Sequence, residues 1–329
     1  MTRIVFVGDL HLADRPPLGR APGYRGHVLA KLAEIGAKAR SGEADAVIFL
    51  GDIFHQPRAN LVSHGLVQQV ALVLRASFPD DCPLYAVMGN HDMGEEGFAS
   101  LSRQPLGVLD SAGVLKVPRL GDVITVRDVK IAFRHYSARR DLDPTYYNLE
   151  EGERDCEVLV CHGSLVPPGK HHRYPTLSAE ALLTEANQSI RLIVSGHLHE
   201  DYGVTLLPSG HTYFANLGSV TRVARDAHNY RRRPSVLLAE IAGAVAGPIT
   251  LWSAALDSAL PASEVFVARE EGVEEADSTA IQAFAEALRR GLTAEELPIE
   301  ELLAGLGDTP PAVKTHVIRL LQEAADAVK

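Results

Sequence analysis

The stretch LIVSGHLH, residues 192–199, places two histidines directly after a short apolar run. A continuous apolar run that ends at a glycine or a turn is typical of a buried β-strand. The same order, an apolar run and then glycine with aspartate, asparagine or histidine, recurs elsewhere in the chain. The other occurrences are IVFVGDLH (4–11), AVIFLGD (46–52), LYAVMGNHD (84–92) and VLVCHG (158–163). Each stretch therefore predicts a buried strand that ends in potential ligand side chains.

These polar side chains are expected to meet, because open α/β sheets place their sites at the carboxyl ends of their strands. Aspartate, asparagine and histidine are ligands for small divalent metal ions. A single histidine at a strand end is more often an ordinary polar residue. A buried group of many carboxylates and imidazoles, however, carries a large desolvation cost without an ion. Taken together, the five stretches predict a metal site.

The chain has 329 residues, of which 46% are hydrophobic and 22% charged, as expected for a large folded domain with an extension. No apolar stretch approaches the roughly 20 residues that a membrane span needs. The first residues lead into a strand without a signal-like segment, so a cytoplasmic protein is expected. Cys82, Cys156 and Cys161 are odd in number and scattered, which argues against a disulfide framework. Cys161 adjoins His162 and is either a soft ligand or, as we favour, core packing.

The net charge of −10 is unevenly distributed. Residues 261–329 contain 14 acidic and 6 basic side chains, a balance of −8, which leaves −2 for residues 1–260. A nearly neutral body is compatible with a polyanionic substrate. It does not provide the strongly basic surface that would indicate nucleic-acid binding by itself.

Strands and helices alternate along the body. Helices are predicted over 26–40, over 60–77 with Asn60 as the cap, and over 178–187 with Ser178 as the cap. Hairpins are predicted within 122–136 and 202–215, followed by closing strands at 235–241 and 249–254. This mixture predicts an α/β fold, a sandwich of mixed sheets flanked by helices.

The acidic C-terminal part has a different pattern. Ser278, the capping pair Thr293 and Glu296, and Thr309 followed by proline all predict helix starts. An apolar stripe at helical spacing follows over 313–328. We therefore predict a domain over 1–258 and a helical C-terminal region over 259–329.

The five motifs D-x-H, GD, GNHD, a lone H and GHxH follow one another in the order found in calcineurin-like metallophosphoesterases, which the chain resembles over residues 3–220. The resemblance implies a β-sandwich of mixed sheets and two divalent cations, preferably Mn²⁺, with iron, zinc, magnesium or others possible. It implies that Asp9, His11, Asp52 and His199 hold one cation. It implies that Asp52, Asn90, His162 and His197 hold the second, with Asp52 between them.

Such a pair of cations, about 3.5–4 Å apart, stabilises the attacking and leaving oxygens of a phosphoester and lowers the pKa of water. The leaving oxygen needs a proton, and His91, beside Asn90, is the predicted donor. Asp92 is predicted to fix the tautomer of His91 or to hold it protonated. The alternative is that His91 is a structural residue.

Two further motifs indicate which phosphoester is cleaved. GDIFHQPR, residues 51–58, resembles the GD-x-FH-x-x-R segment of SbcD-type nuclease subunits of DNA double-strand-break repair complexes. That resemblance implies that His55 lies near the scissile phosphate, the alternative being a surface histidine. ANLGSVTR, residues 215–222, resembles a second segment of those nucleases. Arg222, Arg225 and residues 231–233 are then expected to contact DNA phosphates or to form a solvated loop.

The basic stretch 170–173 lines the mouth of the site or is only an exposed loop. In SbcD-type nucleases a helical segment docks on the coiled coil of an SMC-like ATPase, the SbcC-type partner. The stripe over 313–328 suits that role, or it packs on its own body. A homodimer through helices near 60–77 and 93–106 is also implied. Residues 223–260 are short for the capping region of those nucleases, so recognition of DNA by such a cap is in doubt.

The favoured interpretation is a Mn²⁺-dependent DNA nuclease subunit that works with an ATPase in DNA repair or processing. One alternative is a stand-alone phosphoesterase for nucleotides or other small phosphorylated molecules. A non-catalytic binding scaffold is disfavoured, because every ligand position is filled.

Overall fold

The computed structural model describes residues 1–17, 19–55, 62–243 and 247–267. Residues 1–267 form one compact unit. The predicted helices of the acidic tail, from Ser278 onward, lie outside the described residues. Among the described helices, none combines the length and the apolar character needed to cross a lipid bilayer.

The described residues form two large sheets and one small one. Their strands are β1 (Thr2–Val7), β2 (Ala46–Phe49), β3 (Leu84–Ala86), β4 (Ile124–Val126), β5 (Val129–Arg134), β6 (Val158–His162), β7 (Leu165–Val166), β8 (Leu177–Ser178), β9 (Leu192–Gly196), β10 (Gly203–Leu206), β11 (Tyr213–Asn216), β12 (Ser235–Ile241) and β13 (Ile249–Ala255). The first sheet has the order β13-β12-β1-β2-β3, the second β10-β11-β9-β6-β5-β4, and β7 pairs with β8.

All five strands predicted from the motifs are present, and those that lie side by side in a sheet run parallel to each other. β1, β2 and β3 run parallel in the first sheet, with Val5 opposite Val47. β5, β6, β9 and β11 run parallel in the second, with Val160 opposite Val194. Antiparallel strands, β12 and β13 in one sheet and β4 and β10 in the other, complete the mixed sheets.

The two sheets pack face to face, and alternate residues of each strand point to opposite sides. In β1, Ile4 and Phe6 face the second sheet, in a core shared with Val160 and Val194. Val5 and Val7 face the other way. Both faces are buried, which explains why these strands are continuous apolar runs.

Helices cover the outer face of the first sheet. They are α1 (Tyr24–Ser41), α2 (His64–Ser77) and α3 (Pro105–Ser111), with shorter α4 (Ala227–Arg231) and α5 (Ala262–Val265) further along. Leu32 of α1 and Val70 of α2 belong to the same core as Val5. The second sheet is covered on its outer face by short 3₁₀ segments and loops. The fold is therefore the predicted mixed-sheet α/β sandwich, with its helices mainly on one side.

Several predicted helix limits were wrong. α2 begins at His64, because the Ser63 side chain accepts a hydrogen bond from the Leu66 amide at 3.1 Å and caps it. Asn60 lies outside the described residues. Ser178 caps a turn as predicted, but the helix is replaced by two 3₁₀ segments, Ala179–Leu182 and Glu185–Asn187. Short segments of this kind leave room for the loops that continue toward the strand ends.

Candidate metal centre

The carboxyl ends of the parallel strands in both sheets bring the predicted ligand side chains together. Asp9 and His11 follow β1, and Asp52 follows β2. Three of the predicted ligand residues, including His197 after β9, have a backbone conformation in the left-handed region. Their φ angles are 50° for His11, 50° for Asp52 and 84° for His197. Residues other than glycine seldom adopt that conformation, and it is common at functional sites. The strained turns aim the side chains into a shared space.

A first group of ligand atoms comes from Asp9, His11, Asp52 and His199, which all lie within 4.8 Å of one another. His11 Nε2 is 2.8 Å from His199 Nε2 and 3.7 Å from Asp52 Oδ2. His199 Nε2 is 3.5 Å from Asp9 Oδ2. Two imidazole nitrogens and two carboxylates thus converge on one point.

A second group consists of Asp52, His162 and His197, whose ligand atoms also lie within 4.8 Å. His162 Nε2 is 3.5 Å from Asp52 Oδ2. Asn90 Oδ1 joins this group, 2.9 Å from His197 Nδ1 and 3.1 Å from His162 Nε2. Asp52 belongs to both groups. We call these seven residues, Asp9, His11, Asp52, Asn90, His162, His197 and His199, the metal cluster.

Burial governs the protonation of the metal cluster. It raises the pKa of Asp9 and of Asp52, whose carboxylates also repel each other. It lowers the pKa of His11 and His162 well below the ordinary value, and that of His199 to about 3. The imidazoles are therefore neutral, the form in which histidine binds metals. His162 also donates from Nδ1 to the Leu50 carbonyl at 2.7 Å, which leaves Nε2 as the free ligand atom.

The donor set fits a pair of divalent cations, because carboxylates buried this deeply need positive charge nearby. The glycines of the motifs make the close approach possible. A Cβ atom on Gly89 would collide with Asp52 Oδ1, and one on Gly51 would collide with the His162 ring. Asp52 is therefore held between neighbouring loops that no larger residue could form. The two ligand groups that share Asp52 indicate a dinuclear metal site.

His55 and His91 lie beside the metal cluster. Their rings stack with centroids 5.3 Å apart and an interplanar angle of 16°. His55 Nδ1 is 3.3 Å from His11 Nδ1, on the ring edge opposite the ligand atom. His91 Nδ1 hydrogen-bonds to the His55 carbonyl, and the His91 amide donates to Asp52 Oδ1 at 2.8 Å. Both rings thus pack against the ring of the ligand His11, with centroids 5.3 Å away for His55 and 4.8 Å away for His91.

Asp92 takes a different position from the one predicted. Its carboxylate accepts from the amides of Phe54 at 3.0 Å, Gly89 at 3.2 Å and Ile53 at 3.3 Å. The 3₁₀ turn Asn90–Asp92 directs Asp92 back to the residue that precedes the turn. It therefore joins two ligand loops, whereas the ring of His91 is held by a backbone carbonyl.

Tyr136 was missed in the sequence. Its ring lies 5.2 Å from that of His197 and 6.1 Å from that of His162, between centroids. Its amide donates to the Met88 carbonyl at 3.0 Å. The residue follows β5, which runs parallel to β6, so the rule that predicted the other positions could have found it.

Cys161 is buried, donates to the Val194 carbonyl at 3.6 Å and is no part of the metal cluster, as expected for a residue that packs in the core.

A cleft of about 170 Å³ opens onto the metal cluster. It is lined by Asn90 and His91 and by residues 172–174. The basic stretch 170–173 therefore reaches the mouth of the site, one of the two predicted alternatives. Asp226, His228 and Asn229 line the cleft as well.

The predicted phosphate contacts of Arg222 and Arg232 were wrong. Both side chains are buried, at 5% and 8% exposure. Arg222 donates to the Arg232 carbonyl at 2.8 Å, and Arg232 donates to Asn229 Oδ1 at 3.0 Å. With Arg20 and Lys31, also buried, they form what we call the cation cluster. Arg225, Arg231 and Arg233 are exposed, and Arg233 pairs with Asp257 at 2.6 Å.

Comparisons with known proteins agree with this geometry. The calcineurin-like phosphoesterase family matches over residues 2–201. The DNA double-strand break repair protein Mre11 of Haloferax volcanii is 28% identical over 233 residues, which are 70% of this chain and 48% of that protein. The chain thus spans about half the length of this relative.

The fold also matches the crystal structure of a dimetal phosphatase from Danio rerio. The TM-score is 0.50 with 15% identity, over 77% of this chain and 95% of the other. At that identity the likeness concerns the fold alone. The family match and the convergent ligand groups agree: the chain belongs to the calcineurin-like phosphoesterases.

Proposed function

We propose that this protein is a two-metal phosphodiesterase that cleaves DNA, in the manner of an SbcD-type nuclease subunit. Asp9, His11, Asp52 and His199 would hold one cation, and Asp52, Asn90, His162 and His197 the other. The observation that carries the proposal is the position of Asp52, whose Oδ2 lies 3.7 Å from His11 Nε2 and 3.5 Å from His162 Nε2. When bound, two such cations neutralise the phosphoryl oxygens and lower the pKa of water, and Mn²⁺ is our proposed metal.

In this proposal His91 gives a proton to the leaving oxygen. Burial lowers the pKa of His91, and the hydrogen bond from Nδ1 to the His55 carbonyl opposes this effect by favouring the protonated ring. The protonated ring carries its second proton on Nε2, and this proton goes to the leaving oxygen, which leaves a neutral ring with Nδ1 still donating to the carbonyl. The stacked His55 ring restrains the His91 ring, and Asp92 fixes the backbone on either side. His55 and Asp92 act in this scheme as positioning residues.

The choice of DNA depends on the relative and on the chain's own motifs. The matched relative is named as a DNA double-strand break repair protein, and the match covers 70% of this chain. Arg173 adds a positive charge at the mouth of the cleft. An SMC-like ATPase partner bound by residues 259–329, and a homodimer, complete the proposal. Three free, buried cysteines fit the reducing cytoplasm that we propose as its location.

A specific observation favours a second candidate, a phosphoesterase for nucleotides or other small phosphorylated molecules. Glu200 and Asp226 lie at the same mouth and add negative charge where a long polyanion would pass. The cleft of about 170 Å³ is also small. A short substrate would avoid the repulsion, because only its phosphate enters the cleft.

Hydrolysis of three substrates separates the candidates. The full chain is incubated with Mn²⁺ and linear duplex DNA, bis-p-nitrophenyl phosphate or p-nitrophenyl phosphate. Degradation of DNA and of the diester supports the nuclease, whereas a strong preference for the monoester supports the second candidate. Asp52→Asn serves as the inactive variant. Asp81→Asn, an exposed carboxylate before the amino end of β3, is its matched control.

A further inference from the structure

An exposed aromatic ring lies at the mouth of the metal cleft. Tyr174 is 56% exposed and lines the same cleft as Asn90 and His91. A single exposed tyrosine needs no explanation by itself, so it is the position of Tyr174 at the metal cleft that makes it a candidate for recognition. Tyr230, another exposed tyrosine, stacks on Phe266 with centroids 5.3 Å apart. Within the part of the chain that the structure describes, the ring contacts of Tyr174 are with His172 and Arg173, its neighbours in sequence.

The backbone beneath Tyr174 is tied to the loop that supplies the ligand histidines. His172 Nε2 donates to Glu200 Oε2 at 3.1 Å, and Glu200 directly follows His199. His172 Nδ1 accepts the amide of Tyr174 at 3.2 Å. The His172 side chain is only 6% exposed. Tyr174 is therefore exposed at its ring but held at its backbone, as a recognition residue should be.

The charge around the ring suits a nucleotide. The guanidinium carbon of Arg173 lies 4.9 Å from the centroid of the Tyr174 ring. A cation beside an aromatic face can meet a phosphate while the ring meets the attached base. Aromatic side chains next to cationic groups are how proteins hold single-stranded nucleic acid without reading its sequence.

The size of the cleft leaves the rest of a substrate outside. Its volume, about 170 Å³, is below the roughly 300–1,000 Å³ of sites that enclose a whole small molecule. The reacting phosphate group fits inside, and a nucleoside attached to it can extend past residues 172–174, which line the cleft. The exposed ring of Tyr174 is the apolar surface at that point.

Resting on the proposed phosphodiesterase function, we propose that Tyr174 stacks on the nucleobase next to the scissile phosphate. The stacking makes the enzyme select phosphodiesters of nucleosides over those without a base. The Glu200–His172 pair is the device that positions Tyr174.

The test compares two phosphodiesters with the same leaving group. Thymidine 5′-(p-nitrophenyl phosphate) carries a base, and ethyl p-nitrophenyl phosphate does not. We expect Tyr174→Ala to lower kcat/KM for the thymidine diester by about 5- to 150-fold, as the loss of one stacked base predicts. The ethyl diester should change less than about twofold, and Tyr174→Phe should retain the selectivity because it keeps the ring.

Trp252→Ala is the matched control. Trp252 is an aromatic residue of β13, 41% exposed and absent from the cleft, and its replacement should leave both rates unchanged. Equal selectivity in the wild type and Tyr174→Ala would overturn the proposal. An equal loss on both substrates would overturn it too, because the residue would then serve the chemistry or the fold.

A binding measurement tests the stacking by Tyr174 even if the protein does not hydrolyse phosphodiesters. If neither diester is hydrolysed, the phosphodiesterase proposal fails, but calorimetry with thymidine 5′-monophosphate and inorganic phosphate still tests Tyr174. Weaker binding of the nucleotide alone in Tyr174→Ala supports the stacking. An unchanged ratio of the two dissociation constants rejects it.

Discussion

Two polar clusters lie largely inside this protein, and their side chains have opposite kinds of surroundings. In the cation cluster, formed by Arg20, Lys31, Arg222 and Arg232, side chains donate chiefly to backbone carbonyls. In the metal cluster, ligand atoms that each offer a lone pair face one another. His11 Nε2 and His199 Nε2, only 2.8 Å apart, are one such pair. Buried cationic side chains that donate to backbone carbonyls stabilise a loop. Buried ligand atoms that converge on one point need a metal cation.

The two clusters share one short loop, residues 219–222. On one side the Val220 amide donates to the Asp9 carbonyl at 3.1 Å. On the other, Lys31 Nζ donates to the Val220 carbonyl at 2.9 Å. The cation cluster therefore supports the backbone on which Asp9 depends. Arg222 and Arg232, which the sequence suggested as DNA contacts, therefore act from inside the fold.

The largest effect should come from removing the carboxylate that both ligand groups share. Asp52→Asn is expected to lower kcat on a phosphodiester by at least about 10³-fold, because the stabilisation by a metal pair is worth several kcal/mol. Steady-state kinetics and elemental analysis for metal would measure this. Asp81→Asn should remain active, and equal activity of the two variants would contradict the role of Asp52.

A smaller loss is expected where the ligands stay in place. His91→Asn should lower turnover by about 10²–10⁴-fold, the usual contribution of a positioned proton donor. Its metal content should match the wild type, because the His91 amide, which contacts Asp52, is kept. Loss of metal in this variant would show that His91 maintains the metal cluster instead.

Metal binding should stabilise the fold through the metal cluster alone. A cation at about 100 times its Kd adds roughly 2.7 kcal/mol to the free energy of unfolding. We expect Mn²⁺ to raise Tm in the wild type and EDTA to reverse the shift. Asp52→Asn should show little shift. If Mn²⁺ raised the Tm of Asp52→Asn as much as that of the wild type, the stabilising ion would bind outside the metal cluster.

The pH dependence of stability should report on the cation cluster. Burial lowers the pKa of Lys31 from 10.5 to about 7, with Arg20, Arg222 and Arg232 adding repulsion. Between pH 7 and 10.5 the unfolded chain binds the proton that the folded chain has lost, so stability rises with pH through Lys31. The contribution is at most about 1.4 kcal/mol per pH unit.

Lys31→Met should flatten this dependence. Urea unfolding of both proteins from pH 7 to 9 gives the slope of the free energy of unfolding against pH for each. We expect the wild type to have the steeper positive slope. Lys38→Met, on the outer part of the same helix, is the control, since Lys38 Nζ pairs with Glu34 at 3.2 Å and with Asp257 at 4.0 Å. Parallel slopes for wild type and Lys31→Met would contradict the lowered pKa.

The motifs predicted which positions come together, because a strand end is a local feature that the sequence carries. Asp9, Asp52 and His162 were each identified by the apolar run before them. Asp92 and Tyr136 were not assigned correctly, since their contacts depend on loops from other strands. Arg222 and Arg232 were placed at the surface, because arginine is seldom buried unless paired.

The amino-acid sequence alone determined the strands, the residues at their ends and the chemistry of those residues, since periodicity and residue type are local properties. The tertiary structure decided which nitrogen of His162 is free, where Asp92 binds and which arginines are buried. It also decided that Tyr174 stands at the mouth of the cleft. Each of these depends on distances between segments remote in the chain, and such distances exist only once the two sheets have packed.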